Sequence, residues 1–270
     1  MAKIDEEKLA EAYNRALALE KAGDIDAAVE AYRECLELDP EDHGGASVRI
    51  ASLGRGDAPP RAPDAYVETL FDQHADAFEE ILVEQLGYMV PILVRQRFQA
   101  LNLGPFKRML DLGCGTGLTG GTLRDMAEDI TGIDISENMV EIAHEKDLYE
   151  TLFVAEVEDF LEDNDEEAFD LVTATDVLPY LGALEPLFFG AAENMVRGGI
   201  FAFSSETLQA EDNATYRVGP HQRFLHSEHY IRERLDATGF EVIEITDINV
   251  RMQDGEPSPG HLVIARLKAH

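Results

Sequence analysis

Met109-Leu110-Asp111-Leu112-Gly113-Cys114-Gly115-Thr116-Gly117 is the stretch on which the architecture turns. An apolar run ends in an acid, three alternating glycines follow at once, and a helical pattern opens at about Leu118. This reads as a buried strand, a tight turn and a helix. Glycines in such a turn tolerate unusual backbone angles and let a ligand approach the main chain directly. In open α/β sheets, the crevice at the carboxyl ends of the strands is the usual ligand site. Two phosphate cradles are excluded. A dinucleotide fingerprint counted from Gly113 needs glycine where Leu118 stands, and no Gly-Lys-Ser/Thr follows to make a P-loop.

On either side of the glycines, short apolar runs alternate with helical stretches. The runs are 108–111, 130–135, 152–154, 169–173 and 199–204. This rhythm predicts a parallel sheet covered by helices on both faces. The runs 240–250 and 261–267 are joined only by a turn-rich segment, 254–260, and so short a connection requires antiparallel pairing. The expected core is therefore α/β, with a mostly parallel seven-stranded sheet that finishes in an antiparallel hairpin.

The first hundred residues read differently. Leu9, Ala12, Tyr13, Ala16 and Leu17 recur at helical spacing up to Gly23, a C-terminal stop. Asp24 is a candidate N-cap for a second helix with a stripe of Ala28, Tyr32, Cys35 and Leu36, closed by Pro40. A weaker helical stretch covers 46–53, and 54–63 is rich in Gly and Pro and reads as a linker. Residues 65–101 return to helical spacing through Val67, Leu70, Phe71, Phe78, Ile81, Leu82 and onward to Phe98. The expected division is 1–60, a helical extension and linker; 61–104, a helical cap; and 105–270, the sheet domain.

Composition narrows the function. The 270 residues are 45% hydrophobic, enough for a full core, and carry 54 acidic against 22 basic residues, a net charge of −32. Phosphate binding needs clustered Lys and Arg, so nucleic acid is excluded as a partner, and an anionic membrane surface is disfavoured. Such acidity, with Arg favoured over Lys, also fits a saline cytoplasm, where screening tempers repulsion. Cys35 and Cys114 make no disulfide framework or metal-spaced pair. Residues 1–7 carry Lys3, Asp5 and Glu6 with no apolar run behind them, and no apolar stretch is long enough to span a bilayer. A cytoplasmic protein without a metal site is the expectation.

The string Asp111-Leu112-Gly113-Cys114-Gly115-Thr116-Gly117 resembles motif I of the class I S-adenosylmethionine (SAM)-dependent methyltransferases. The resemblance extends over roughly 65–270 and is to the bacterial branch with an N-terminal tetratricopeptide (TPR)-like segment. Gly23-Asp24, Ala27-Ala28, Tyr32, Cys35 and Leu38-Asp39-Pro40 resemble one TPR unit, although Ala12, Arg15 and Ala16 stand where that unit's first helix carries an aromatic and a Leu-Gly pair. A helix pair of this type cannot bury its face alone and must stack on a neighbour. A plain hairpin packed on the main domain is the alternative.

The resemblance implies a Rossmann-like fold, SAM as cofactor and S-adenosylhomocysteine (SAH) as product. It places Asp111, Gly113, Cys114, Gly115 and Gly117 around the cofactor. It assigns the ribose hydroxyls to Asp134, an acid that can accept from both, with Ile135 and Met139 beside the adenine. Asp134 as a helix cap is the competing role, which Ser136 can also fill. Similar enzymes set an acid after the third strand against the adenine amino group, here Glu156 with the Val157 N–H, although Glu158 and Asp159 compete. Asp176 takes the position facing the methionine end and the acceptor. The segment Asp176-Val177-Leu178-Pro179-Tyr180 lacks the second proline of base-methylating enzymes and is one residue too long, which agrees with the charge. Residues 71–78 resemble a helical lid with His74 and Phe78 as its inner face, and Tyr180, His226 and Tyr230 occupy acceptor-side positions. Methyl transfer from a sulfonium mainly requires alignment and water exclusion, with a base needed only for a protonated acceptor. The implied activity is methylation of a small molecule. The alternatives are a protein acceptor presented by the TPR-like segment, which would then contact protein, and a SAM-binding adaptor without chemistry.

Overall fold

A computed structural model describes residues 4–208 and 214–269 of the chain. Helix α1 (Glu6–Ala22) ends at Gly23, whose φ of 80° reverses the chain. Helix α2 (Ile25–Leu38) starts on Asp24, whose carboxylate accepts from Ala27 N, and lays Ala28, Tyr32 and Cys35 against Ala12 and Ala16 of α1. Asp42 caps α3 (Ala46–Ser52) by accepting from the N–H groups of Ala46 and Ser47 at 2.6 and 3.0 Å. This short helix has two apolar faces. Ala46 and Ile50 join the α1–α2 core, whereas Val48 enters a separate cluster with Ala62, Val218 and Phe224.

Residues 54–63 form no helix, in keeping with their composition, yet they are pinned down. The Ala62 N–H donates to the Tyr180 carbonyl, and the N–H groups of Gly182 and Ala183 donate to the Pro60 carbonyl, all at 2.8 Å. The expected continuous helical stretch 65–101 is broken. Helix α4 (Asp64–His74) passes through a 3₁₀ turn, Ala75–Ala77, into a π-helical segment, Glu80–Gln85, before Gly87 and α5 (Val90–Leu101).

The sheet then forms in order: β1 (Phe106–Leu112), α6 (Leu118–Leu123), β2 (Ala127–Asp134), α7 (Glu137–Glu145), β3 (Thr151–Val154), α8 (Val157–Asp163), β4 (Phe169–Ala174), α9 (Glu185–Glu193) and β5 (Met195–Thr207). Short strands β6 (Tyr216–Val218) and β7 (Phe224–His226) precede α10 (Glu228–Ala237) and the long hairpin β8 (Phe240–Gln253) and β9 (Glu256–Leu267). The seven expected strands lie in the order β3-β2-β1-β4-β5-β9-β8, parallel up to β5 and antiparallel beyond it. Two strands are added, so among the described residues the sheet has nine: β7 pairs with Glu206 and Thr207 at the end of β5, and β6 pairs with β7. Three-residue strands carry too little alternation to stand out in sequence.

The hairpin turn is also tighter than expected. Only Asp254 and Gly255, with φ of 51° and 83°, separate the strands, and two positive φ values are what a primed hairpin turn requires. Pro257 and Pro259 therefore lie inside β9, where among the described residues it pairs with β8 alone.

Alternation along the strands feeds two core layers. Leu110, Val172, Phe201, Phe203 and Val263 point to the layer under α8, α9 and α10, while Met109, Leu171, Ala202 and Ile264 meet Val94, Phe98 and Leu123 on the other face.

Candidate active site

The glycine turn works as the sequence suggests. Gly113 and Gly115 hold φ of 62° and 53°, in the left-handed region where glycine is unstrained. A Cβ on Gly113 would lie 2.6 Å from Val177 Cγ2. Bare main chain therefore keeps open a cleft enclosing about 720 Å³ of space between protein atoms, part of it exposed to solvent. The tips of β1, β2 and β4 supply its floor: Gly113 and Gly115, then Asp134 and Ile135, then Thr175, Asp176 and Val177.

Asp134 ends β2 and is only 8% exposed. Its two oxygens accept from backbone donors, Gly115 N at 2.8 Å to Oδ2 and Ser136 N at 3.0 Å to Oδ1. Burial nevertheless pushes its carboxyl up to about 6. The helix-cap role belongs to Ser136, whose Oγ accepts from Met139 N at 3.1 Å. Asp134 is left as an oriented acceptor in the cleft wall, each oxygen holding one donor and able to accept another.

Glu156 and Val157 line the far end of the cleft. Glu156 Oε2 caps α8 by accepting from the N–H groups of Glu158 and Asp159, and it lies 3.1 Å from Arg61 Nη1. Glu158 also pairs with Arg61, at 3.2 Å, and Arg61 itself lines the cleft, so the segment before α4 closes this end.

The lid residues come over the top. Phe71 and Phe78 line the cleft and meet edge to face at 6.0 Å, and Phe71 meets Tyr180 in the same way at 5.3 Å. Two polar latches fix this helical segment to the sheet domain. Ser136 Oγ donates to Asp72 Oδ1 at 2.5 Å, and Asn138 Nδ2 donates to the Asp72 carbonyl at 3.3 Å. Glu79 accepts from Thr116 Oγ1 at 2.5 Å and pairs with Lys146, which also donates to the Thr116 carbonyl at 2.6 Å.

Asp176 occupies the junction with a second cavity. Its φ of 65° is left-handed and non-glycine, a conformation that surrounding structure must enforce. Its N–H donates to Ser204 Oγ at 3.0 Å, and its carboxylate receives Arg223 Nη2. Burial raises the Asp176 carboxyl despite the guanidinium groups of Arg223 and Arg251. Asp176, Tyr180, Phe71 and Phe78 border both the first cleft and the second cavity, whose remaining wall includes His74, Leu82, Arg223 and Arg251.

Several expected site residues lie elsewhere. Asp111 is fully buried, and its carboxylate accepts from Tyr149 Oη at 2.8 Å and Thr173 Oγ1 at 2.7 Å; it braces β1 against β4 instead of facing the cleft. Cys114 and Met139 are buried, and Gly117 serves as the residue before α6, so none of the three lines the cleft. His226 is displaced from the acceptor side: fully buried, its Nε2 is 3.2 Å from the Gly182 carbonyl, its ring stacks on Tyr230, and burial lowers it to about 4. Tyr230 is likewise structural, donating to Glu185 Oε2 at 2.7 Å and accepting from Leu184 N at 2.9 Å. Arg223, Arg251 and Arg61 are the wall residues that sequence reasoning missed. Arg223 stands three positions before His226 in a segment otherwise read for its aromatic and histidine content.

The cleft suits SAM on its own chemistry. A buried, backbone-held carboxylate is an acceptor matched to a vicinal diol, Ile135, Val157 and Leu181 give an apolar slot for a flat ring, and Gly113 admits a substituent where any side chain would collide with Val177. Residues 110–201 match the family model of the methyltransferase domain, and residues 11–42 match that of the tetratricopeptide repeat. The chain is 30% identical over 103 residues to the ubiquinone biosynthesis O-methyltransferase of Hydrogenovibrio crunogenus, a match over 37% of this chain and 42% of that protein. It thus spans less than half of that relative's length. Its structure resembles a S-adenosylmethionine-dependent methyltransferase from Clostridium acetobutylicum, with a TM-score of 0.55 and 16% identity over 74% of this chain and 100% of the other. It also resembles the [4+2]-cyclase SpnF, with a TM-score of 0.55 and 18% identity over 67% and 81% of the two chains. The latter pair are likenesses of fold, and the cyclase shows that this fold supports more than one chemistry. Residues 110–201 thus form a methyltransferase domain, with a tetratricopeptide repeat at residues 11–42 ahead of it.

Proposed function

We propose that this protein methylates a small-molecule acceptor at the expense of SAM. The observation that carries the reading is the continuity of the site: the cleft framed by Gly113, Gly115 and Asp134 shares Asp176, Tyr180, Phe71 and Phe78 with a second cavity. A cofactor site and an acceptor site that meet at one set of residues are what a transfer reaction needs. When bound, SAM supplies a methyl group on a positively charged sulfur that departs as a neutral thioether.

The protein's share is placement. Asp134, steadied by the N–H groups of Gly115 and Ser136, receives the ribose hydroxyls. Ile135 and Val157 flank the adenine, with Glu156 at its edge. Asp176, its carboxylate held by Arg223, stands at the junction of the two cavities and borders both. Phe71 and Phe78 cover the junction and keep water from it. A protein acceptor finds less support, because the cavity along α1 and α3, walled by Tyr13, Asn14 and Asp42, shares no residue with either cavity at Asp176.

The test is a calorimetric titration with SAM and SAH, followed by an acceptor screen read out by SAH release. The wild-type chain is expected to bind both ligands. Asp134→Ala is expected to weaken each by tenfold or more, about 1.5–3 kcal/mol for hydrogen bonds to a charged acceptor. A wild-type chain that binds neither, or a variant that binds both unchanged, refutes the reading.

A further inference from the structure

We propose that the second cavity binds its acceptor as an apolar acid, with a carboxylate on Arg251 and an apolar body against the lid; this rests on the methyl-transfer reading above. The cavity has two unlike walls. Leu70, Phe78, Ile81, Leu82 and Leu86 form the apolar one. The polar one carries Asp176, Tyr180, Arg223, Arg251 and Gln253.

Charge on that wall is unequal. Two buried guanidinium groups and one part-buried carboxylate, Asp176, line it, whereas Glu206, the buried acid that pairs with both arginines at 2.6 and 3.1 Å, is not part of the wall. The two arginines also differ. Arg223 uses all three nitrogens: Nε donates to Glu206 Oε1 at 2.6 Å, Nη1 to Tyr180 Oη at 2.9 Å, and Nη2 to Asp176 Oδ1. Arg251 comes second to the same two carboxylate oxygens. Its Nη2 stands 3.1 Å from Glu206 Oε1 and its Nη1 3.8 Å from Asp176 Oδ1, and among the described residues its one side-chain hydrogen bond runs from Nε to Gln253 Oε1 at 3.3 Å.

A guanidinium has five N–H donors, and a buried one is costly to leave short of acceptors. Arg251 is 6% exposed, and among the described residues its Nη1 has only the Asp176 oxygen, 3.8 Å away. A ligand carboxylate in the cavity would supply the missing acceptors in the geometry a guanidinium prefers. A ligand ammonium would meet two cations, and a neutral head would leave the deficit in place. Arg251 on β8 is therefore the specificity-determining residue, and Arg223 is the strut that holds Asp176, Glu206 and Tyr180 around it.

The experiment titrates three matched ligands, 3-phenylpropanoate, 3-phenylpropanamide and 3-phenylpropylamine, into the full chain saturated with SAH. The carboxylate is expected to bind at least tenfold tighter than the amide and the amine. Arg251→Gln is expected to lower carboxylate affinity at least tenfold, to leave the amide within twofold, and to leave SAH affinity unchanged. Arg251→Lys is expected to keep part of the preference. The comparison among ligands on the unmodified chain stands even where a variant folds poorly. Equal binding of the amide or amine, parallel loss of all three ligands in Arg251→Gln, or no binding of any to the SAH-loaded chain overturns the assignment. Failure of the chain to load SAH at all is a different result: it overturns the methyl-transfer reading, and this assignment with it.

Discussion

Burial raises the Asp134 carboxyl from an ordinary value near 3.8 to about 6, although the N–H groups of Ser136 and Gly115 pull it back. The folded chain therefore holds this proton between about pH 4 and 6, where the unfolded chain has lost it. The contribution of Asp134 to stability is greatest below that window and declines as pH rises through it. Cofactor binding has the opposite sign. Ribose hydroxyls donate to the ionised form, so SAH affinity is expected to fall as pH drops below about 6, approaching tenfold per unit. Calorimetry from pH 5 to 8 measures this, and Asp134→Asn is expected to flatten the profile. Asp111, also raised to about 6 by burial, titrates in the same range, so Asp111→Asn serves as the control that keeps the dependence. Residues of this kind divide by how local their roles are. The strand ends and turn that bring Gly113, Gly115 and Asp134 to the cleft are legible because each is set locally. Arg251 and Arg223 are not, since an arginine in an amphipathic strand or in the loop before one looks solvent-facing until tertiary structure buries it. Asp111 was misread for the same reason: its position is local, but its partners Tyr149 and Thr173 lie 38 and 62 residues away.

The segment from α4 through Gln85 is where elements, more than single residues, govern the site. Its interior changes from α to 3₁₀ to π winding within a dozen residues, and such winding defects recur at functional sites because they re-aim side chains. Here they bring Phe71 and Phe78 onto the cleft while Asp72 and Glu79, on the flanks, take hold of Ser136 and Thr116. Helical periodicity announced this segment, but it could not report the winding, which follows from what the segment packs on. Asp72 and Glu79 lie at the surface, so each latch is worth little in stability, about 0–1 kcal/mol for a solvent-exposed ion pair and about 1 kcal/mol for a hydrogen bond. Both fasten the segment that covers the cleft, however. The double variant Asp72→Ala/Glu79→Ala is expected to release tritiated SAM about tenfold faster in a chase experiment, with a melting temperature within a few degrees of the parent. Unchanged release would mean that Phe71 and Phe78 hold the lid by packing alone. The expected strand rhythm fared better than the helices, because buried strands in a parallel sheet announce themselves as apolar runs whatever their neighbours.

At the scale of the whole molecule, two features pull against each other. A net charge of −32 favours expansion, and its self-repulsion is long-ranged at low ionic strength. Against it, the helical extension is joined to the sheet domain by packing as well as by covalent continuity. Val48 of α3 and Ala62 are fully or nearly fully buried with Val218 and Phe224, and Tyr66, Tyr180 and Tyr216 close the same cluster. The Gly- and Pro-rich composition of 54–63 reads as a linker. Composition reports that a segment lacks regular structure; it does not report where its carbonyls and N–H groups go, and those of Pro60 and Ala62 go to the loop that carries Tyr180. We therefore propose that 1–60 and the sheet domain behave as one cooperative unit. Deleting 1–60 removes Val48 from that cluster and the Pro60 carbonyl from Gly182 and Ala183, uncovering Phe224 on β7 and loosening the Tyr180 side of the junction. A large apolar side chain that loses its cover costs about 1.5–3 kcal/mol, and the lost hydrogen bonds add to this, so the truncated chain is expected to melt several degrees below the parent. Raising sodium chloride from 0.1 to 1 M shortens the screening length from about 10 to about 3 Å, so both chains are expected to gain stability with salt while the gap between them persists, because packing is not screened. Melting curves of the two chains across that range decide the matter: a truncated chain with the parent's melting temperature and SAH affinity would show that the extension is a separate body.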